Sequence, residues 1–336
     1  MHHCRLGLRT KIILLLIIVA LLLEGIMIAI ALFPVVLKLL RNGHHHLDAT
    51  YLLTDDGLAE KSGNSSKHLR ILCMVFTMRP QHDRRKAVAK TWGRKCAKLL
   101  FFMAGAEKLT VTSFGPNGQL ISLPTRQSYG NMWRVTQMAY QFIAENYFNA
   151  FDWLIRCDDD TFVVLQNLER FLKNRNSSKP VYYGQILEQP ETGTLYNSGG
   201  AGYVMSNEIF LQLVHSFKLP GCDIHKQTST EDLEVVRCFK LVGVHPMDTR
   251  DQMGRLRMSQ LNPEQTFFHD SLLPPTKGWE LLGSLSRFKA STWFKLFAPY
   301  PVKSASDCCS NSMISFHYVT PTWMEIMDFL TNRTSR

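Results

Sequence analysis

The sequence lacks the marks of several common protein classes. It has eight cysteines, but none of them has the Cys-x-x-Cys spacing of a zinc site. Its densest glycine cluster, Gly199, Gly200 and Gly202, is wrongly spaced for Gly-x-Gly-x-x-Gly, which excludes a dinucleotide-binding fingerprint there. No segment repeats along the chain. Acidic residues are the scarcer sign, 28 against 38 lysines and arginines, leaving a formal net charge of +10. That excess is spread out, and no zinc-finger, homeodomain or RNA-recognition signature accompanies it, so nothing specific points to nucleic acid. A site for an anionic nucleotide substrate, or a basic surface beside a membrane, accounts for it as well.

Long apolar runs are not lacking. Arg5, Arg9 and Lys11 precede residues 12–37, which are apolar apart from Glu24, Gly25 and Pro34. At about 1.5 Å rise per residue such a helix crosses a hydrocarbon layer about 30 Å thick. Glu24 near its middle costs about 2 kcal/mol or more on insertion scales, which the length of the run absorbs. No small-x-small cleavage site comes before the next polar segment, which favours a retained anchor over a cleaved signal. The basic end stays cytosolic. The expected organisation is a tail over 1–11, a transmembrane signal anchor over 12–37, a stem over 38–69 and a lumenal domain over 70–336.

The stem carries His44-His-His46 and Asp55-Asp-Gly57 with little apolar periodicity, so the histidines read as a solvated linker before a metal site. Beyond the membrane seven cysteines remain, Cys73, Cys96, Cys157, Cys222, Cys238, Cys308 and Cys309. An oxidising lumen pairs most of them and leaves one over. Asn64, Asn176 and Asn332 each open an N-glycosylation tripeptide.

The lumenal pattern alternates strands and helices. Residues 71–76 form a short continuous apolar run, the mark of a strand buried on both faces. A helix follows over 82–94 with Ala87, Val88 and Trp92 inward, then a strand over 99–104. Residues 107–128 are loop-rich around Gly115-Pro-Asn-Gly118. A long helix covers 132–147, and an apolar strand containing Trp153, Leu154 and Ile155 leads to three aspartates and a helix over 165–173. Further on come a strand over 181–184, a helix over 208–217, a helix opened by Thr230 as a capping residue, a short strand over 241–245 and a strand over 315–318. The pattern from 253 to 290 is irregular. Such alternation predicts an α/β fold with a mostly parallel sheet and right-handed crossovers. In these sheets ligands bind beyond the carboxyl ends of the strands, where the aspartates stand.

Asp158, Asp159 and Asp160 lie between two apolar stretches. Adjacent carboxylates there are costly without a positive partner. Carboxylates at i and i+2 can reach one hard divalent cation; a solvated acidic turn or a helix cap is the alternative. Gly199, Gly200 and Gly202 allow close approach of a ligand to the backbone, or merely a tight turn. Glu231 and Asp232 open a helix, where one of them can serve as a general base toward a hydroxyl, or both simply cap it. His317 suits Mn²⁺ as a third ligand, or is an ordinary core or surface histidine. Trp293 and Tyr300 lie in an aromatic-rich segment, where stacking on a sugar ring competes with core packing.

Taken in order, Ile71-Leu-Cys73, Thr91-Trp92 with Cys96, Asp158-Asp-Asp160-Thr-Phe-Val, Ser198-Gly-Gly-Ala-Gly-Tyr-Val204, Glu231-Asp-Leu233, Arg237-Cys238, Asp248-Thr-Arg-Asp251, Cys308-Cys309-Ser310 and Ser315-Phe-His-Tyr318 resemble the core 1 β1,3-galactosyltransferase family. These are the glycoprotein-N-acetylgalactosamine 3-β-galactosyltransferases, or T-synthases, related to the fringe enzymes. The resemblance covers roughly residues 70 to 330.

It implies a GT-A nucleotide-binding sandwich on a single-pass type II Golgi anchor. It implies inverting transfer of galactose from UDP-galactose to the 3-hydroxyl of GalNAc on Ser or Thr of a glycoprotein. Carried over by residue, it places Mn²⁺ at Asp158, Asp160 and His317. It places the nucleotide against Phe76, Arg126, Ser128, Arg134, Asp158, His317 and Tyr318. Asp232 becomes the base, with Glu231 second, and Tyr203 and Trp293 face the acceptor. Cys73 pairs with Cys96, Cys222, Cys238, Cys308 and Cys309 are further disulfide candidates, and a homodimer is suggested.

Departures from the family are also visible. Thr77-Met-Arg-Pro80 stands where the family tends to have Thr-Gly-Pro, and the loop holding Arg126 and Ser128 lacks a clean Glu-Gly-Arg match. Cys157 replaces the usual Ala, which makes it the odd cysteine, and 253–290 matches poorly. A fringe-like β1,3-glycosyltransferase of other specificity, or an inactive relative acting as chaperone or lectin, is the alternative.

Overall fold

The apolar run after residue 70 becomes the centre of a large sheet. The computed structural model describes residues 69–268 and 294–333. All but residue 69 of the expected tail, anchor and stem lie outside the described residues, as does Trp293. Among the described residues no helix is long and apolar enough to cross a membrane.

Strand β1 (Ile71–Phe76) is buried at every position. It is flanked in parallel by β2 (Lys98–Ala104) and β5 (Trp153–Asp158). Alternate side chains of β1 enter two different cores: Ile71, Cys73 and Val75 on one face, Leu72, Met74 and Phe76 on the other. A strand covered on both faces has no polar side, hence the unbroken apolar run. Helix α1 (His82–Lys90) and a 3-10 turn carrying buried Trp92 connect β1 to β2. Beyond β2 the sheet continues with β4 (Gly118–Leu123), parallel, and β3 (Thr110–Ser113), an antiparallel edge strand exposed along its length.

Helix α2 (Met132–Tyr147) returns to β5, burying Trp133, Tyr140 and Ile143 in the Phe76-face core. The strand β6 (Phe162–Val163) and helix α3 (Leu165–Leu172) follow the aspartates. On the other side of β5 lie β7 (Tyr182–Gly184) and, after the hairpin strands β8 (Ile186–Gln189) and β9 (Thr194–Asn197), β10 (Tyr203–Ser206), which pairs antiparallel with both β5 and β7.

Helix α4 (Asn207–Ser216) is capped by Ser206, whose Oγ accepts from the Ile209 N–H. Helix α5 (Glu231–Lys240) is followed by β11 (Met247–Asp248), parallel to β7 at the sheet's far edge. The eight-stranded order is β11-β7-β10-β5-β1-β2-β4-β3. Two short strands, β12 (Met258–Ser259) and β13 (Ser315–Phe316), join β6 in a second sheet of three. Helices α6 (Pro263–Phe268) and α7 (Pro321–Arg333) complete the described chain. This is a mixed α/β fold with a large central, mostly parallel sheet, consistent with a GT-A enzyme.

Three local expectations fail for physical reasons. The loop-rich 107–128 holds β3, which has no buried side, and β4, whose apolar residues are interrupted by Gly118, Gln119 and Ser122. The strand expected over 241–245 is the winding-down of α5: Val242 and Val244 both donate to the Phe239 carbonyl, and Gly243 takes φ +75°, a left-handed turn open to glycine. Thr230 precedes α5 but its hydroxyl does not cap it, bonding Thr228 Oγ1 instead.

The disulfides are Cys73–Cys96, tying β1 to the entry of β2, Cys222–Cys238, closing the loop before α5 onto its last turn, and the adjacent Cys308–Cys309. Cys157 is free and buried. The family motifs at 248–251 and 308–310 serve structure. Asp248 pairs with Arg250 at 2.6 Å and Asp251 with Arg255 at 2.7 Å. The 308–310 segment bridges to Leu256 on both sides, the Leu256 N–H donating to the Cys308 carbonyl and the Ser310 N–H to Leu256.

Candidate active site

The parallel register places Phe76, the last residue of β1, opposite Asp158, the last of β5. Strand alternation turns Leu154, Arg156 and Asp158 toward the α2–α5 face, with Cys157 toward the other. Three consecutive aspartates therefore begin at the carboxyl end of the central strands. Across the second sheet, β13 pairs with β6 and delivers His317 just beyond its end. The expected strand stops at Phe316. The His317 N–H donates to Ser259 and Leu261 carbonyls, and Tyr318 turns into the left-handed region at φ +52°.

Asp158, Asp160 and His317 each offer a ligand atom, and these atoms lie within 4.8 Å of one another. His317 Nε2 is 3.1 Å from Asp160 Oδ1 and 3.6 Å from Asp158 Oδ2. The other ring nitrogen, Nδ1, is buried without a hydrogen-bond partner. It lies against Gly200, where an added Cβ would sit 2.5 Å from the ring. Glycine is thus required there by close approach. Two carboxylates and an imidazole suit a divalent metal, and the set fits Mn²⁺ better than Mg²⁺ because of the nitrogen.

The three carboxylates are not equivalent. Asp158 is 32% exposed and pairs with Arg156 at 3.1 Å. Asp159 is buried, accepts from Thr77 Oγ1 at 2.6 Å and pairs with Arg84 at 3.2 Å; burial pushes its pKa up to about 6. Burial pushes Asp160 the same way, but the His317 hydrogen bond and the His317 and Arg84 charges outweigh it and hold the carboxyl below its ordinary value. Arg84 reaches Asp160 Oδ2 at 3.0 Å, and Arg85 donates to Thr77 Oγ1 and the Met78 carbonyl, anchoring the 77–80 loop.

The second acidic pair lies behind Arg156. Glu231 is buried. Its Oε1 is 2.7 Å from Arg156 Nη2, an ion pair whose angles fall short of a hydrogen bond. Its Oε2 accepts from Tyr203 OH at 3.1 Å, and Tyr203 OH lies 2.6 Å from Tyr140 OH. Burial raises the Glu231 pKa to about 7, with Arg156 the main opposing influence. Asp232 is half-buried. It accepts from the Gly199 N–H at 3.1 Å and from its neighbour Leu233 at 3.0 Å, and burial raises its pKa too.

The glycine turn joins the two clusters. The Gly199 carbonyl accepts from Arg156 at 2.7 Å, the Gly200 carbonyl from Thr161 Oγ1 at 2.9 Å and the Ala201 carbonyl from Ser315 Oγ at 2.5 Å. A Cβ on Gly199 would meet Glu231 at 2.7 Å and Arg156 at 2.9 Å.

The remaining expected residues scatter more widely. The Phe76 ring lies 4.7 Å beneath the Arg156 guanidinium. Tyr318 is 52% exposed and stacks on His317 at 3.8 Å between centroids. Arg126, Ser128 and Arg134 are exposed on the segment that enters α2; the Arg126 and Ser128 carbonyls accept from Asn131, and Arg134 reaches Gln137. Tyr203 has no exposed surface, and its hydroxyl is spent on Glu231 and Tyr140. Tyr300 is buried 3.6 Å under Arg250.

Sequence reasoning passed over Arg84, Arg156 and Gln260. The only signal for Arg156 was a cation inside an apolar strand. Gln260 accepts from the Ala201 N–H at 2.8 Å, yet it sits in the poorly matched segment.

Comparison with known proteins agrees with this layout. The profile of the Fringe-like family matches residues 67–270. The chain is 31% identical over 281 residues to glycoprotein-N-acetylgalactosamine 3-beta-galactosyltransferase 1 of Xenopus laevis, covering 83% of this chain and 70% of that protein. It is 28% identical over 170 residues to human chondroitin sulfate synthase 3, covering 48% of this chain and 19% of that protein. It is 24% identical over 243 residues to rat UDP-GlcNAc:betaGal beta-1,3-N-acetylglucosaminyltransferase 7, covering 60% of each. A parallel sheet ending in a carboxylate and imidazole cluster, next to a second acidic pair, is here the site of an enzyme, a β1,3-glycosyltransferase. Within that class the chain belongs to the core 1 β1,3-galactosyltransferase family, among the Fringe-like proteins.

Proposed function

We propose that the protein transfers galactose from UDP-galactose to the 3-hydroxyl of GalNAc α-linked to Ser or Thr, inverting the anomeric carbon and requiring Mn²⁺. The observation that carries the reading is the meeting of Asp158, Asp160 and His317 beside Asp232, in a chain 31% identical to a 3-β-galactosyltransferase over 83% of its length.

Asp158, Asp160 and His317 would hold the ion, which when bound neutralises the charge developing on the diphosphate. Tyr318, exposed and stacked on His317, offers a face to the nucleotide, and Phe76 ends its strand opposite Asp158. Asp232, at the amino end of α5, has its carboxylate fixed by the Gly199 and Leu233 N–H groups and is partly open to solvent. It takes the proton of the acceptor hydroxyl while that oxygen bonds to the anomeric carbon; the bond from that carbon to the diphosphate oxygen breaks, and UDP departs. One displacement inverts the centre without an enzyme-bound sugar. Raised proton affinity suits a base that must work near neutral pH.

As part of the same reading, residues 12–37 anchor the protein in the Golgi membrane with residues 70–336 in the lumen. The test is transfer of labelled sugar from UDP-galactose, UDP-GalNAc, UDP-GlcNAc and UDP-glucose to GalNAc-peptide with and without Mn²⁺. Transfer from UDP-galactose alone, lost on chelation, is expected. A preference for another donor would replace this reading with that of a fringe-like enzyme of other specificity.

A further inference from the structure

Arg156 is a charged side chain sealed inside the domain, 4% exposed, yet it touches both acidic clusters. Nη1 lies 3.1 Å from Asp158 Oδ1 and donates to the Gly199 carbonyl at 2.7 Å, while Nη2 lies 2.7 Å from Glu231 Oε1. Its guanidinium lies 4.7 Å from the centre of the Phe76 ring and 5.8 Å from that of Tyr203. Resting on the reading above, we propose that Arg156 is a positioning residue that couples the two halves of the reaction: it pairs with the buried Glu231 and fixes the glycine turn against Asp232, from the same strand end that carries the cation ligand Asp158.

A buried carboxylate without a cation takes up a proton. Glu231 is surrounded by Arg156 from β5, Tyr203 from β10, Tyr140 from α2, Tyr182 from β7, Asp232 on its own helix and Asp158 at the end of β5. Arg156 is the cation in that company; the phenols are neutral and the aspartates repel. Without it, the Tyr203 hydroxyl is left as the donor to Glu231, and the protonated form persists to higher pH.

The Gly199 carbonyl would also lose its buried donor. Since the Gly199 N–H is what holds Asp232 Oδ2, the base would lose its aim with the turn. A lysine cannot replace the fork: its single nitrogen does not span three acceptors spread across a strand end, the glycine turn and a helix.

The test uses the full-length protein in detergent, as wild type, Arg156→Lys, Arg156→Met and Glu231→Gln. Infrared difference spectra followed through pH give the midpoint of the Glu231 carboxyl band, identified by its loss in Glu231→Gln. In parallel, kcat and donor KM are measured against pH on GalNAc-peptide. The expected result for Arg156→Met is an upward shift of that midpoint by about one pH unit or more, with the acid limb of kcat moving alongside. Arg156→Lys should restore most of the midpoint but stay about tenfold or more low in kcat, with donor KM little changed.

An unmoved midpoint in Arg156→Met would overturn the proposal. If that variant does not fold, Arg156→Lys decides: wild-type kcat and an unmoved acid limb would overturn it. The infrared arm needs no donor, so a wild type inactive on UDP-galactose, with the midpoint still shifted in Arg156→Met, overturns the galactosyl reading and leaves the Arg156–Glu231 link standing.

Discussion

Asp158, Asp159 and Asp160 are neighbours in sequence and differ in what surrounds them. Asp160 is held ionised by His317 and Arg84. Asp159, tied to Thr77 and pushed upward by burial, supports the 77–80 loop. Asp160→Ala should therefore abolish Mn²⁺ binding measured by electron paramagnetic resonance and lower activity about 100-fold or more. Asp159→Asn should leave Mn²⁺ binding and act through loop stability alone.

Glu231 gives a prediction with a sign. Its pKa is raised from 4.5 to about 7, so the folded protein keeps a proton that the unfolded chain has released. That favours folding fully below about pH 4.5, and the contribution fades as pH rises to about 7. Glu231→Gln removes this dependence. The difference in melting temperature between wild type and variant should change across that window and be flat above it. A difference constant from pH 4.5 to 7 would contradict the burial argument.

At the scale of elements, the site depends on a few tight approaches. Gly200→Ala would drive a methyl into the His317 ring and Gln260. The expected outcome is Mn²⁺ binding weakened about tenfold or more with the fold retained by circular dichroism, because the clash falls on a ligand and not on the main core. The Cys73–Cys96 bond closes a separation of 23 residues, and Cys73→Ser with Cys96→Ser should cost about 2–4 kcal/mol in denaturant unfolding.

These elements were unevenly legible. β1, β2, α2 and β5 could be read because burial on two faces or a 3.6-residue stripe leaves a strong pattern. β3 could not, since an exposed edge strand has no buried side to write into the sequence, and β4 breaks its apolar run with Gly118, Gln119 and Ser122. The aspartates, Glu231, Asp232 and His317 stood out by residue type and by family resemblance. Their wiring did not: the Arg156–Gly199 bond spans 43 positions, and nothing local in Leu154-Ile155-Arg156-Cys157 names that partner. Tyr203 was placed beside the acceptor by resemblance, and its surroundings in the fold are Glu231 and Tyr140.

At the scale of the whole molecule, a set of cation ligands and an acid pair meet at one sheet end, in a domain proposed to stand on a Golgi anchor. The basic chain, at +10, suits an anionic sugar nucleotide as donor. The most direct test is transfer of galactose from UDP-galactose to a GalNAc-bearing peptide by the purified full-length protein, with Mn²⁺ or with chelator, and the linkage of the product read by NMR. The account predicts a β1,3-linked disaccharide formed with Mn²⁺ and lost with chelator or in Asp160→Ala. Equal transfer by Asp160→Ala, or no transfer from UDP-galactose with Mn²⁺ supplied, would contradict it.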